Sequence, residues 1–79
     1  MTNINNRNLI GGNLKRIRKE KHITQDELSA RLLTSGTNLD RPMISKIENL
    51  TREVTDIELV AIAEILSISV HELLKKGND

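Results

Sequence analysis

The sequence contains no cysteine, phenylalanine, tyrosine or tryptophan, and only one proline. Without thiols there is no disulfide staple and no thiolate metal site, a composition that fits a reducing cytoplasm. Without aromatic rings the core must be built from Ile, Leu, Val, Ala and Met. Single-stranded nucleic acid, usually held by aromatic stacking under its bases, is then a poorly matched partner, although arginine can also stack. Apolar runs extend only a few residues, far short of a membrane span, and the opening MTNINNRN lacks the apolar segment of a signal peptide. The expectation is a soluble, cytoplasmic chain. Its 79 residues leave room for one small domain, near the size at which a single core only just offsets chain entropy.

The formal net charge of +1 hides an asymmetry. Through Arg52, ten basic residues stand against five acidic ones, leaving +5; from Glu53 onward, two basic residues stand against six acidic ones, leaving −4. A basic half suits a polyanion, with the acidic half turned away from it. Solvated charge on helix surfaces would produce the same counts.

Residues 1–8 are polar, rich in Asn and without periodicity, which predicts a flexible tail; residues 9–76 form the domain and 77–79 a short C-terminal tail. Ile10, Leu14 and Ile17 recur at helical spacing, with Lys15, Arg16, Arg18 and Lys19 on the other faces. His22 falls in the exit turn and, with no second ligand at metal-binding spacing, is read as a turn residue. Three capping boxes follow, TQDE at 24–27, TDIE at 55–58 and SVHE at 69–72, in each of which a hydroxyl and a glutamate can satisfy two orphan N–H groups reciprocally. The second helix carries Leu28, Ser29, Leu32 and Leu33 on one face and ends near TSG, where Gly36 is free to turn left-handed. Asp40 is an N-cap for the third helix, Pro42 sits in its first turn, and Leu39 and Ile44 are spaced as a hydrophobic staple. Ile44 and Ile47 face inward, leaving Arg41, Pro42, Met43, Ser45, Lys46 and Asn49 on or near the outside. On the fourth helix Leu59, Ile62, Ala63 and Leu66 form the inner stripe, while Ile57, Val60, Ala61 and Ile65 add apolar surface elsewhere, Ile57 nearly opposite the core. Val70, Leu73 and Leu74 belong to a short fifth helix. Five helices and no convincing strand predict a compact all-α domain.

The segments LKRIRKEKHITQDELS, MISKIEN and LVAIAEILSISVHELL together resemble the Cro/repressor helix-turn-helix family, of the xenobiotic response element type, over about residues 10–74. The resemblance implies a five-helix lambda-repressor-like DNA-binding domain. Helices two and three would form the helix-turn-helix, with a recognition helix at about 41–49 in the major groove of double-stranded DNA. Carried over by position, Gln25 matches the family's phosphate-clamping glutamine and a buttress of helix three. Arg41, Met43, Ser45 and Lys46 fall at base-contacting positions; Asn49, Thr51 and Arg52 match the loop that grips the DNA backbone. Arg18 and Glu48 match an internal ion pair with a structural role. Arg41 and Lys46 can donate to guanine O6 and N7, Arg41 bidentately; Met43 suits either a thymine methyl or packing.

The sequence also departs from that pattern. The segment LLTSGTNLDRPM is longer than the family's tight turn, so residues 34–38 either reach a phosphate or partner, or act as spacer. Ser29 stands where the family has alanine. Leu50 stands where a glycine normally ends helix three, and Asn49, which tolerates the left-handed region, is the expected substitute.

The implied function is a sequence-specific DNA-binding transcriptional regulator, a repressor acting as a homodimer, with Ile57 and the C-terminal helix as candidate dimer contacts. Two alternatives stand beside it. One is an antitoxin or restriction-modification controller on the same fold, distinguished by the neighbouring gene; the other is a protein-interaction module that does not bind DNA. An enzyme is not expected, because no Ser/His/Asp set, phosphate-binding Gly loop or metal cluster is present. Glu58, Glu64, Glu72 and His71 read as caps and solvated helix faces. No cofactor, metal or small-molecule effector is implied.

Overall fold

A helix leaves its first N–H groups without partners, and short polar side chains just ahead of it are the usual remedy. The computed structural model, which describes residues 8–75, has five helices and no strand among them. They are α1 (Gly11–Glu20), α2 (Gln25–Thr34), α3 (Arg41–Glu48), α4 (Asp56–Leu66) and α5 (Val70–Leu74). Both halves of the capping box form at Thr24 with Glu27 and at Thr55 with Glu58. At α5 the Ser69 hydroxyl accepts from the Glu72 N–H at 3.0 Å, which is half of the third box. Asp40 accepts from the Met43 N–H at 2.9 Å, and the staple residues Leu39 and Ile44 are buried.

Helix ends were harder to read in the sequence. Four helices close in a similar way: the residue after the C-cap, or in α4 the C-cap itself, turns left-handed and the next N–H returns to a carbonyl five residues back. The pairs are Ile23 to Arg18, Thr37 to Leu32, Thr51 to Lys46 and Ile68 to Ala63. The left-handed residues are His22, Gly36, Leu50 and Ser67, so only one is a glycine. Leu50 corrects the expectation for α3: it takes φ +63° itself, while Asn49 stays at φ −90° as the C-cap. The hydrogen-bond pattern dictates this, because the Leu50 N–H bonds to Ile47 O and the Thr51 N–H to Lys46 O, which puts the positive φ at Leu50. The left-handed region costs a non-glycine residue about 1–2 kcal/mol.

The core lies between α1, α2 and α3 on one side and α4 and α5 on the other. Leu14, Leu28, Leu32, Ile44, Ile47, Ile62 and Leu73 are fully buried, each stabilising by about 1.5–3 kcal/mol relative to exposure. Two face assignments are corrected. Leu33 is 62% exposed, since one residue past Leu32 is a rotation of about 100° away from the buried stripe. Ala61 is buried, because α4 packs against both α2 and α5 and so buries a wider sector than one stripe. A third correction concerns Asn8, assigned to the tail but 3% exposed. The rest of the two expected tails lies outside the described residues. In the first turn of α1, Asn13 Nδ2 donates to Leu73 O at 2.9 Å and to Lys75 O, fastening the start of α1 to the close of α5.

Candidate nucleic-acid interface

The N-terminus of α2 and the outer face of α3 form one surface. Their register is set by the lengthened turn, which is ordered by the α2 closure at Gly36 and by Ser29, whose hydroxyl donates to Leu39 O at 2.9 Å. A hydroxyl in place of the family's alanine thus holds the end of the longer connection. On α3, Ile44 and Ile47 are wholly buried while Arg41, Pro42 and Lys46 are exposed and Met43 and Ser45 half-buried. Met43 packs against the core, which favours its packing role. Lys46 has no ion-pair partner among the described residues, so its charge faces solvent. Arg41 lies 3.5 Å from Asp26, with side chains 63% and 70% exposed. A pair this open and long is worth at most about 1 kcal/mol, so Arg41 can exchange it for another acceptor. Between the two helix starts lies a shallow open cleft of about 380 Å³ lined by Arg18, Thr24, Gln25, Asp26 and Arg41.

Beneath this surface sits a buried polar knot. Arg18 Nε donates to Glu48 Oε2 at 2.7 Å, Nη2 to Glu48 Oε1 at 3.0 Å and Nη1 to Ile23 O at 2.9 Å. Gln25 Nε2 donates to the same Glu48 Oε1 at 3.0 Å. An amide nitrogen carries two protons, so Gln25 buttresses α3 through one and retains a second N–H. Hydrogen bonding to Glu48 raises the Arg18 pKa, burial opposes this, and the charge of Glu48 adds to the rise. The guanidinium therefore stays charged inside the fold. The backbone N–H groups of Gln25 and Asp26 have no protein acceptor among the described residues, and in the first turn of a helix they project from its positive end.

The loop after α3 divides. Asn49 and Thr51 are exposed, although the Thr51 hydroxyl donates back to Lys46 O at 3.2 Å. Arg52 is half-buried and committed elsewhere: its Nη1 and Nη2 donate to the two carboxylate oxygens of Glu58 at 2.9 and 3.0 Å, and Nη1 also to Glu53 O. That fork raises the Arg52 pKa, against burial, and draws the Glu58 carboxyl below its usual value, again against burial. The sequence assigned Arg52 to the DNA backbone; its observed partner is the N-terminal turn of α4.

Ile57 lies in the first turn of α4 and is 74% exposed. With Val60, Ala61, Thr37, Asp56 and Glu64 it lines a shallow groove of about 430 Å³. Among the described residues no group of acidic, His or Cys side chains could hold a metal ion, and no helix is long and apolar enough to cross a membrane. Two residues escaped sequence reading: Asp26 on the α2–α3 surface, as the partner of Arg41, and Asn8, buried behind the turn that follows α3. The signal for Asn8 was present, since an asparagine shortly before an apolar helical repeat is a capping pattern.

The sequence profile of a helix-turn-helix family matches residues 14–73. Over 68 residues the chain is 35% identical to y4dJ of Sinorhizobium fredii, an uncharacterized HTH-type transcriptional regulator, covering 86% of this chain and 82% of that protein. Among solved structures, the clp gene regulator ClgR from C. glutamicum superposes with a TM-score of 0.74 at 25% identity, over 86% of this chain and 82% of that one. The restriction-modification controller protein C.AhdI from Aeromonas hydrophila gives 0.72 at 25% identity, over 85% and 90%. The DNA-binding domain of BldD gives 0.71 at 22% identity, over 86% and 92%, a likeness of fold.

Proposed function

From the fact that this chain belongs to the helix-turn-helix family of the Cro/repressor, or xenobiotic response element, type, we propose that it is a sequence-specific regulator of transcription that binds double-stranded DNA and represses by occupying a promoter. The observation that carries the reading is the division of α3, whose Ile44 and Ile47 are wholly buried while Arg41 and Lys46 stand exposed, Arg41 beside the start of α2. In this reading α3 enters the major groove. Arg41 and Lys46 read guanine edges, Ser45 makes a shorter contact, and Met43 touches a thymine methyl only from its half-buried position. Gln25, the α2 N-terminus, Asn49 and Thr51 hold phosphates and set the register. The protein acts in the cytoplasm, without cofactor, effector or catalysis.

Retention of DNA from a randomised duplex library, at two salt concentrations and with Arg41→Ala and Lys46→Ala, tests this. The expected result is a two-fold-related motif, blurred at particular bases by each substitution, with affinity falling steeply as salt rises. Featureless retention, equal in wild type and variants, would instead favour a protein-interaction module.

One such domain covers about half of a two-fold operator, so a homodimer is part of the proposal. Its contact is the α4 face around Ile57 and Val60, which are 74% and 45% exposed. Sedimentation of the DNA complex with Ile57→Glu checks this; an unchanged stoichiometry of two would move the contact elsewhere. The likeness to C.AhdI supports a restriction-modification controller as a second reading, and the neighbouring gene decides it.

A further inference from the structure

Asn8 is almost completely buried and uses its whole hydrogen-bonding capacity. Its Oδ1 accepts from the N–H groups of Ile10 and Gly11 at 3.2 and 3.0 Å, capping α1, which has no cap from the Ile10 side chain at its own N-cap position. Its Nδ2 donates to Ile47 O at 2.8 Å and to Arg52 O at 2.9 Å. Those two carbonyls stand on either side of residues 48–51, the turn that carries Asn49 and Thr51. One amide group therefore ties both ends of that turn to the start of α1.

The approach is close enough to restrict what can stand there. A Cβ at Gly11 would lie 2.3 Å from Ile47 O and 2.6 Å from Leu50 Cδ2. Leu50, between the two clamped carbonyls, holds the left-handed conformation. The turn is also tied from its far side, where Glu58 grips the Arg52 side chain.

We infer that Asn8 is a positioning residue for DNA binding: it touches no DNA, but holds the turn after α3 so that Asn49 and Thr51 meet the phosphates in register with the reading face of α3. The inference rests on the DNA-binding reading above. Its physical basis is that a hydrogen bond to phosphate tolerates little displacement, whereas an untethered turn at a helix end frays.

Two substitutions separate the clamp from the cap. Asn8→Asp keeps an acceptor for the α1 N–H groups but turns an oxygen toward the two carbonyls. Asn8→Ser keeps a shorter cap and cannot span both carbonyls. Two measurements are made at a temperature where circular dichroism reports each variant folded. The first is amide hydrogen exchange of the free protein; the second is affinity for a preferred duplex and for its scrambled counterpart. The expected result is faster exchange at Leu50 and Thr51 with Leu14 and Ile17 unchanged. Binding to both duplexes should weaken by about tenfold, the worth of one charge-assisted hydrogen bond, with the ranking of bases unaltered. Folded variants binding within about twofold of wild type overturn the role, as does a changed base ranking, which would mean the effect runs through α3. Variants that fold at no temperature make Asn8 a folding residue and overturn it too. A wild type that binds neither duplex is a distinct result: it removes the DNA-binding reading, and the role of Asn8 with it.

Discussion

The two ends of α3 are held in opposite ways. At its C-terminal end Glu48 is locked by Arg18 and Gln25, Ile47 O is held by Asn8, and the nearest backbone of α1 leaves no space for a Cβ. At its N-terminal end the helix has one side-chain cap, from Asp40, and its first residue, Arg41, has a single long ion pair in solvent. Rigid anchoring at one end sets the angle of the helix. Loosely partnered side chains at the other remain available for the base contacts proposed above. A buried pair and an exposed pair of the same chemical types therefore serve different ends, and the difference comes from burial.

That contrast predicts a ranking of effects. Glu48→Ala strands the Arg18 guanidinium in the interior and should destabilise the fold by about 3–5 kcal/mol, read as a lower urea midpoint. Replacing both partners with apolar residues, as in Arg18→Met with Glu48→Leu, should recover much of that loss. If the double variant is no more stable than Glu48→Ala, the stranded charge is not the cause. Arg41→Ala, at the open end, should change stability by no more than about 0.5 kcal/mol yet cost about 1–3 kcal/mol of discrimination at one base position. A large fall in melting temperature for Arg41→Ala would erase the contrast.

The loop beyond the anchored end should respond to acid. Glu58 has a carboxyl pKa drawn down chiefly by Arg52, and so binds its proton less readily folded than unfolded. Its contribution is complete above the ordinary glutamate value of 4.5 and is lost as pH falls below that through the depressed folded value. Glu27, drawn down mainly by its bond from the Thr24 N–H, acts in the same sense. The urea midpoint should therefore drop as pH is lowered below 4.5, and Glu58→Gln should flatten that drop. An equally steep drop in the variant would assign the acid sensitivity elsewhere. The smallest effect is expected from Asp26→Asn, which releases Arg41 and removes a negative charge from the surface: stability within about 0.5 kcal/mol of wild type, and DNA affinity raised a few-fold. Weaker DNA binding would mean that Asp26 orients Arg41 rather than competing for it.

Helix starts were legible because capping is local. Thr24, Asp40, Thr55 and Ser69 each lie three residues from the N–H they accept, and sequence spacing alone reveals that. Of the helix ends, the sequence placed the exit turn of α1 at His22 and that of α2 at Gly36, but the left-handed residue was legible only at Gly36. At His22, Leu50 and Ser67 the left-handed turn is imposed on residues without glycine's freedom, and at His22 and Ser67 the following isoleucine packs on the core. The Arg18 and Glu48 assignments came from family likeness, since they are far apart in the chain. Arg52 shows the limit of that route: its position suggested a phosphate, while its side chain meets a glutamate that also caps α4.

By itself the sequence determined five amphipathic helices, most of their starting points, and a charged α3 whose buried side is Ile44 and Ile47. Periodicity and capping act over a few residues and need no knowledge of what packs where. Tertiary structure decided which charged and polar groups are spent and which remain available. Arg18 is consumed by Glu48, Arg52 by Glu58, and Asn8 by two carbonyls about forty residues away, because ion pairs and hydrogen bonds depend on distances in space that chain closure alone creates. Lys46 is left facing solvent and Arg41 only loosely held by Asp26 for the same reason.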